Sequence, residues 1–511
     1  MAADAFYVTT PIYYVNDVPH IGHAYTTLAC DSIARFARLD GRTVHFLTGT
    51  DEHGQKVEKA AADAGVEPQA FTDRVSGRFR ELARIMRISN DDFIRTTEPR
   101  HKAGVQALWR ELVRRDQIYL GRYAGWYSVR DETYFAESEL INGMAPTGAP
   151  VEWVEEPSYF FRLSAWQERL LRFYDERPDF ILPPSRRNEV ISFVKGGLQD
   201  LSVSRTSFSW GVPVPDDPAH VVYVWLDALT NYMTALGYPD TEAQAYRTFW
   251  PADVHVVGKD ILRFHAIFWP AFLLAAGLEP PRRVFAHGWW TNEGQKISKS
   301  LGNVIDPVQL IETYGLDQTR YFLLREVPFG NDGDFSRDAM VTRMNRDLAN
   351  DYGNLVQRVL SLIQRNCDAK VPAPGAYGED DRRLLDAADA MLIRVRAAMA
   401  EQALSRALEV VFETIGAANR YVDAQAPWSL RRTDPPRMAT VLYALAEIIR
   451  RLALVTQAFM PDASAKILDQ LAVPQDARGL ANFADAASAL RPGAALPPPS
   501  GVFPRFADRA G

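Results

Sequence analysis

The chain opens on a short apolar run, Phe6-Tyr7-Val8, whose aromatic and β-branched residues predict a strand. Pro, Asn and Asp between Pro11 and Pro19 predict a turn. From Gly22 to Leu39 the apolar positions Ala24, Leu28, Ile33, Ala34 and Ala37 suit a helix, which Asp40-Gly41 ends. Val44-His45-Phe46-Leu47 predicts a second strand, and another helical stretch begins near Gln55. Alternation at this spacing argues for an α/β fold with a doubly wound parallel sheet.

The alternation is lost after Asp116. Residues 117–222 read as short strands and loops with several Pro and Gly, such as Ile118 to Ser128 and Arg205 to Val214. It returns at Val221-Val222-Tyr223-Val224-Trp225 and again at Val254-His255-Val256-Val257. A Rossmann-like domain in two halves, 1–116 and 223–338, interrupted by an inserted mixed α+β domain at 117–222, is the simplest organisation. Beyond Asp338 long Ala/Leu/Arg-rich segments, Asp381 to Met399 and Met438 to Phe459, have helical periodicity, so 339–472 reads as an α-helical bundle. The Ala- and Pro-rich tail, 473–511, has no periodicity that places it.

Composition changes this picture little. A chain of 511 residues is roughly three average domains, and a balance of 57 Lys+Arg against 64 Asp+Glu, net −7, argues against a small DNA-coating protein. Residues 341–460 are mildly basic, 16 Lys+Arg against 14 Asp+Glu, which hints at an anionic partner there but equally suits solvated helix faces. Two cysteines, Cys30 and Cys367, exclude a disulfide framework and a four-cysteine zinc site. The most apolar stretch, Ile261 to Gly277, is broken by Arg263, His265 and Pro270, short of the roughly 20 residues a bilayer crossing needs. With no signal-peptide pattern at Met1 to Tyr7, a soluble cytoplasmic protein without membrane contact is the expectation.

Candidate chemistry begins at His20-Ile21-Gly22-His23, where the first loop becomes a helix. Gly22 lets a ligand approach the backbone, and the exposed N–H groups of a helix start favour phosphate. Both imidazoles could then donate to the phosphates of a nucleoside triphosphate. A metal pair or two satisfied surface histidines are the alternatives, although the zincin H-E-x-x-H pattern is absent. Lys296-Ile297-Ser298-Lys299-Ser300, between Gly294 and Gly302, places two cations on a Gly-flanked loop that can close over a triphosphate and neutralise a departing pyrophosphate. Alone, such a loop is usually just solvated; paired with H-I-G-H upstream it is specific.

With these two motifs the chain resembles the class I aminoacyl-tRNA synthetases, and from Phe6 to Trp428 it is similar to the methionyl-tRNA synthetase family. The motifs fall in order: Pro11-Ile12-Tyr13-Tyr14-Val15-Asn16, H-I-G-H, Gly49-Thr50-Asp51-Glu52-His53-Gly54, Val224-Trp225-Leu226-Asp227-Ala228, Gly258-Lys259-Asp260-Ile261, the lysine loop, Gly353-Asn354-Leu355 and Ala426-Pro427-Trp428. The resemblance implies a ligase that converts L-methionine and ATP to methionyl-adenylate and pyrophosphate, then passes methionine to the 3′ end of initiator and elongator tRNA. It implies Mg²⁺ with the ATP. Ile12 and Tyr14 would line the methionine pocket, Asp51 would hold the ammonium group, and Arg205 would lie near the carboxylate. Trp225, Ala228, Tyr232, Ile261, His265 and Trp269 would form the side-chain pocket. Gly22, Gly258, Asp260 and Ser298 would contact ATP, with His20, His23, Lys296 and Lys299 serving its phosphates. Asn354, Arg358 and Trp428 would read the anticodon. The residue types suit these tasks. A thioether packs well on aromatic rings, a buried ammonium needs a carboxylate, and unstacked bases are read by Trp, Asn and Arg. Core packing remains the commoner fate of an aromatic.

Two departures matter. Where many relatives carry a zinc knuckle, Gly125-Trp126-Tyr127 is followed by Ser128-Val129-Arg130-Asp131, with no cysteine pair, so no zinc is expected. Residues 473–511 are too short for a five-stranded oligonucleotide-binding barrel of the kind some relatives use to dimerise, so a monomer is expected. Three other readings compete. Leucine, isoleucine and valine synthetases carry a larger insertion than 117–222. A nucleotidyltransferase shares H-x-G-H but would be one short α/β domain. A silent RNA-binding paralogue has no use for the intact histidines and lysines.

Overall fold

The computed structural model describes residues 4–15, 18–131, 133–135, 137–297 and 302–507. They fall into two units, one of Ala5–Pro19 with His45–His287, the other of Met1–Asp4, His20–Val44 and Gly288–Gly511.

The first unit is built on a seven-stranded sheet. Its order is Tyr13–Tyr14, Thr43–Asp51, Ala5–Thr9, Val254–Gly258, Val284–His287 and Ile181–Leu182, with Asp92–Arg95 also paired to Thr43–Asp51. The registers Tyr14↔Asp51, Gly49↔Ile94, Val8↔Val254, Val256↔Phe285 and Phe285↔Leu182 are parallel. Apolar runs buried on both faces are what a parallel sheet requires, and Tyr7, Val8, Phe46, Leu47, Val256 and Val257 are almost wholly inaccessible. Gly49 is there for space: a Cβ would stand 2.1 Å from the Ile94 carbonyl oxygen. Because the strands run parallel, Thr9, Asp51, Gly258 and His287 all finish at the sheet's carboxyl edge, where open α/β sheets bind ligands.

Two stretches differ from the sequence reading. Val221 to Trp225 is not a strand of the parallel sheet. Asp217–Val222 closes a small antiparallel sheet, and Val224–Thr234 is a helix. A short unbroken apolar run fits a buried strand and a buried helix equally well. Within 117–222, short strands occur between Leu201 and Val222, but Ile118–Ser128 is longer than expected and pairs with Glu152–Phe161 in one long antiparallel hairpin, whose alternation Gly121, Gly125 and Pro157 obscure. Helices Gln167–Glu176 and Pro184–Lys195 follow, and Ile181–Leu182 between them joins the parallel sheet.

The second unit contains the helix Ile21–Leu39, a three-stranded sheet (Gln295–Lys296, Trp290–Asn292, Gly333–Phe335) and a helical bundle. Helices Asn354–Asn366, Glu379–Ala400, Leu404–Gln425, Pro435–Thr456 and Pro461–Gln470 form that bundle. The tail, which no periodicity could place, is tied to it. Val371 N–H donates to the Ala494 carbonyl, Leu496 N–H to Ala369, and Tyr443 Oη to Leu490.

Helix Ile21–Leu39 is fastened to the rest of its unit by buried charge. Asp31, fully buried, accepts from Arg320 at 2.7 Å and Arg35 at 2.7 Å. Arg320, also fully buried, donates Nε to the Phe459 carbonyl at the end of the long bundle helix. At the C-terminus of helix Ile21–Leu39, Asp40 takes both Nε and Nη2 of Arg396. Removing one partner of a buried pair leaves the other desolvated, so Arg320→Met should lower the unfolding free energy in urea by about 3 kcal/mol. A loss under about 1 kcal/mol, the scale of a surface ion pair, would contradict this role.

Candidate functional site

The site residues of the second unit start at His20, which is the N-cap of helix Ile21–Leu39. Its Nδ1 accepts from the Gly22 N–H at 3.1 Å, while its own backbone N–H donates to His23 Nδ1 at 3.2 Å. This is a capping box made of two imidazoles instead of the usual Ser and Glu. The rings lie 3.9 Å apart. Burial, and then the neighbouring His20, hold His23 well below the usual histidine range, so it is neutral. With Nδ1 of each ring accepting, a neutral ring carries its proton on Nε2, which can then only donate. Gly22 allows this geometry, since a Cβ there would press on the His20 ring at 3.0 Å.

Lys296 is exposed at the end of a hairpin whose Glu293-Gly294 turn takes positive φ at both positions. Asp334 anchors the turn through the Gly294 N–H at 2.8 Å. Asn303 closes the lysine loop: its Nδ2 donates to the Lys296 carbonyl, and its own carbonyl accepts from Asn292. Ser298 and Lys299 lie outside the described residues.

In the first unit, Ile12, Tyr14 and Asp51 stand at the carboxyl edge of the sheet, with Tyr14 in register with Asp51. Gly258 ends its strand there, so close to Asp260 that a Cβ would lie 2.5 Å from the carboxylate oxygen. Helix Val224–Thr234 supplies Trp225, Ala228 and Tyr232, and the segment Ile261 to Trp269 supplies Ile261, His265 and Trp269. One π turn, Phe264–Phe268, carries His265, a local widening frequent at functional sites.

These aromatics meet. Tyr232 Oη lies 2.7 Å from His265 Nε2, and His265 Nδ1 lies 3.0 Å from the Ile261 carbonyl. A carbonyl only accepts, so the His265 proton sits on Nδ1, and Tyr232 donates to Nε2. Burial, the larger influence, holds His265 down at about 4, so it is neutral near pH 7. Tyr232 stacks on His255 at 4.0 Å and stands 6.2 Å from Trp269, while Trp225 stacks on Phe264 at 3.7 Å. Arg205 belongs to another group. Its guanidinium bonds Ser202 Oγ at 2.8 Å and lies over the Tyr223 ring at 4.4 Å.

Helix Asn354–Asn366 exposes Asn354 and, one turn on, presents Arg358 with its guanidinium 5.8 Å from the Trp428 ring. Trp428 is 46% exposed and Arg358 pairs with Asp423 at 2.9 Å. The trio is thus one surface patch.

The knuckle-like loop is a hairpin, Trp126↔Phe135 to Ser128↔Thr133. Asp131 Oδ2 accepts from both Ser128 Oγ and Thr147 Oγ1, and the Arg130 guanidinium donates to the Thr147 carbonyl.

The sequence motifs contain Glu52, His53 and Asp227 but gave none of them a role. Glu52 is buried and takes Arg95 through both oxygens, with Thr50 and Thr97. Asp227 is buried against His53 and His101. The signal was available: an Asp inside the apolar run Val224 to Met233 must find partners.

Comparison with known proteins gives the family. A model described as class I tRNA synthetases (M) matches residues 6–150 and 139–360. The anticodon-binding domain of methionyl tRNA ligase matches 371–510. The chain is 56% identical to the methionine–tRNA ligase of Mesorhizobium japonicum, over 100% of this chain and 99% of that one. It is also 56% identical to that of Rickettsia felis, over 98% and 99%. A structure of Mycobacterium tuberculosis methionyl-tRNA synthetase in complex with methionyl-adenylate matches with TM-score 0.96 at 54% identity, covering 98% of this chain and all of that one. Matched in this way from residue 6 to residue 510, the chain belongs to the methionyl-tRNA synthetase family of class I aminoacyl-tRNA synthetases.

Proposed function

We propose that this chain performs the methionine–tRNA ligase reaction with the side chains described above, divided by chemistry. Asp51 holds the ammonium of L-methionine at the sheet edge, with Ile12 and Tyr14 beside it. Tyr232, His265, Trp269, Trp225, Ala228 and Ile261 enclose the thioether, whose polarizable sulfur gains from ring contact. Arg205 serves the carboxylate side. Gly258 and Asp260 serve the adenosine. His20 and His23 donate Nε2–H to phosphate oxygens, and Lys296, Ser298 and Lys299 close over them.

A carboxylate oxygen of methionine attacks the α-phosphorus of ATP, and the bond to pyrophosphate breaks. No side chain becomes a nucleophile. Positioning and charge stabilisation lower the barrier. A hydroxyl of the terminal ribose of tRNA then attacks the methionyl carbonyl carbon, forming an ester as the bond to phosphate breaks and AMP leaves, while the tRNA anticodon meets Asn354, Arg358 and Trp428. The observation that carries this reading is the double imidazole cap. Both Nδ1 atoms are committed to backbone N–H groups, so neutral rings can only offer donors, which is what phosphate oxygens need.

No group of three His, Cys, Asp or Glu side chains able to hold a metal occurs among the described residues. An accompanying Mg²⁺ would ride on the phosphate oxygens of ATP, the hard ligands it prefers. The Ser128–Asp131–Thr147 bonds would close the hairpin without zinc. The substrates set the location: cytoplasm, where translation runs, with no part for DNA. Among the described residues no helix is long and apolar enough to cross a membrane.

His20→Asn tests the assignment, because Asn is a good N-cap but has no Nε2–H to give. The rate of methionine-dependent ATP–pyrophosphate exchange should fall about 100-fold, the cost of one charge-stabilising donor, with the methionine KM unchanged. A rate within about threefold of the parent would remove His20 from the phosphate site. For the surface patch, Trp428→Ala should raise the KM for tRNA about tenfold or more, one lost stacking platform, and leave exchange without tRNA unaltered. An unchanged tRNA KM would take Trp428 out of the interface.

A further inference from the structure

Resting on that reading of Asp51 and the aromatic pocket, one cluster lies outside the assigned residues. Asp227 is wholly buried in helix Val224–Thr234, between Trp225 and Ala228 and one turn before Tyr232. Its Oδ2 takes His53 Nδ1 at 2.6 Å and its Oδ1 takes His101 Nε2 at 2.7 Å. His101, on helix Pro99–Arg114, reaches Thr234 Oγ1 at 2.9 Å with its other nitrogen, so it grips the pocket helix at two turns. Burial would raise the Asp227 carboxyl, but the two imidazoles outweigh it and hold it low, at about 2. The carboxylate therefore stays charged, and each of its oxygens has one imidazole N–H.

His53 stands two residues past Asp51, just beyond the end of the strand. Trp210 brackets the same loop. Its ring meets His53 edge-on at 5.6 Å, its Nε1–H donates to the Glu52 carbonyl, and its carbonyl accepts from the Gly54 N–H. The His53 ring is 98% buried, and its Nε2 has no hydrogen-bond partner among the described residues. Its bond to Asp227 is therefore the polar contact that holds the ring. On one side of that bond is the loop that presents Asp51; on the other is the helix that presents Trp225, Ala228 and Tyr232.

We propose that His53 is a positioning residue that sets the distance between the ammonium-holding carboxylate and the thioether pocket, so that the His53–Asp227 bond makes the site a gauge of side-chain length. A ligand held at both ends is measured by their separation. Methionine fits, and ethionine, one carbon longer at the sulfur, is rejected because the helix cannot move away from the loop. Loosening the bond costs methionine affinity and relaxes the rejection of the longer side chain.

The test uses His53 variants, because Asp227 keeps His101 as a partner when His53 changes, whereas replacing Asp227 strips both imidazoles. His53→Asn offers an amide N–H where Nδ1–H stood; His53→Gln carries its amide one carbon farther out. ATP–pyrophosphate exchange on the full chain is read with methionine and with ethionine. For His53→Gln the methionine KM should rise about tenfold, the scale of a lost hydrogen bond to a charged group, with the ATP KM unchanged. The methionine-to-ethionine ratio of kcat/KM should narrow by about fivefold or more, a part of the same lost bond, and His53→Asn should bring both values back to within about threefold of the parent. Thermal unfolding checks that each variant is folded. An unchanged ratio in folded His53→Gln, equal changes in both KM values, or a His53→Asn that fails to recover would overturn the proposal. Asp51→Asn separates the two readings. If it leaves the methionine KM unaltered, the assignment of Asp51 falls; if it raises that KM while His53→Gln does not, the gauge alone falls.

Discussion

A carboxylate taken out of water must be met by charge or by several donors, and three buried carboxylates beside the candidate site residues follow that rule. Glu52 is closed by Arg95 and two threonines, Asp227 by two histidines, and Asp31 by two arginines. Each joins elements distant along the chain and fixes one that carries a residue of the proposed site: the Asp51 loop, the helix of Tyr232, and the helix that His20 caps. The separations those pairs set are held against a large penalty for breaking them.

The two kinds of site follow from two backbone rules. Parallel strands place their carboxyl ends on one edge, so Asp51 and Gly258 come to the same side of the sheet without further design. A helix start has N–H groups without intrahelical partners. In this chain imidazole nitrogens take two of them, and oriented donors are gained in the exchange. Farther along, Asn303 fastens the end of a hairpin, its side-chain amide donating to the Lys296 carbonyl and its own carbonyl accepting from Asn292.

Much of the fold was legible because parallel strands announce themselves as short apolar runs and the bundle helices as long periodic ones. Phe6 to Val8, Val44 to Leu47 and Val254 to Val257 all lie within strands, and the two long helical segments lie where the periodicity put them, within a few residues. The Val221–Trp225 run was not legible, since length alone cannot tell a buried strand from the first turn of a buried helix. The tail was not legible because backbone bonds to Ala369 and Val371 and irregularly spaced buried side chains such as Leu480, Phe483, Leu490 and Phe503, with no helical or strand period, hold it. The family resemblance pointed to Tyr232, His265 and Trp269, which do meet. Motif spacing could not point to His53, His101 and Asp227 as a group, because their bonds span 126 and 174 residues.

The proposed function turns on a charge at the sheet edge and an aromatic pocket, which would receive the two ends of methionine. A crystal structure of the chain with L-methionine bound would decide the matter. The ammonium nitrogen should lie within hydrogen-bond distance of an Asp51 oxygen and the thioether against Tyr232 and Trp269, with His53 still bonded to Asp227. An ammonium held by other groups, or a thioether outside that aromatic cluster, would refute that assignment.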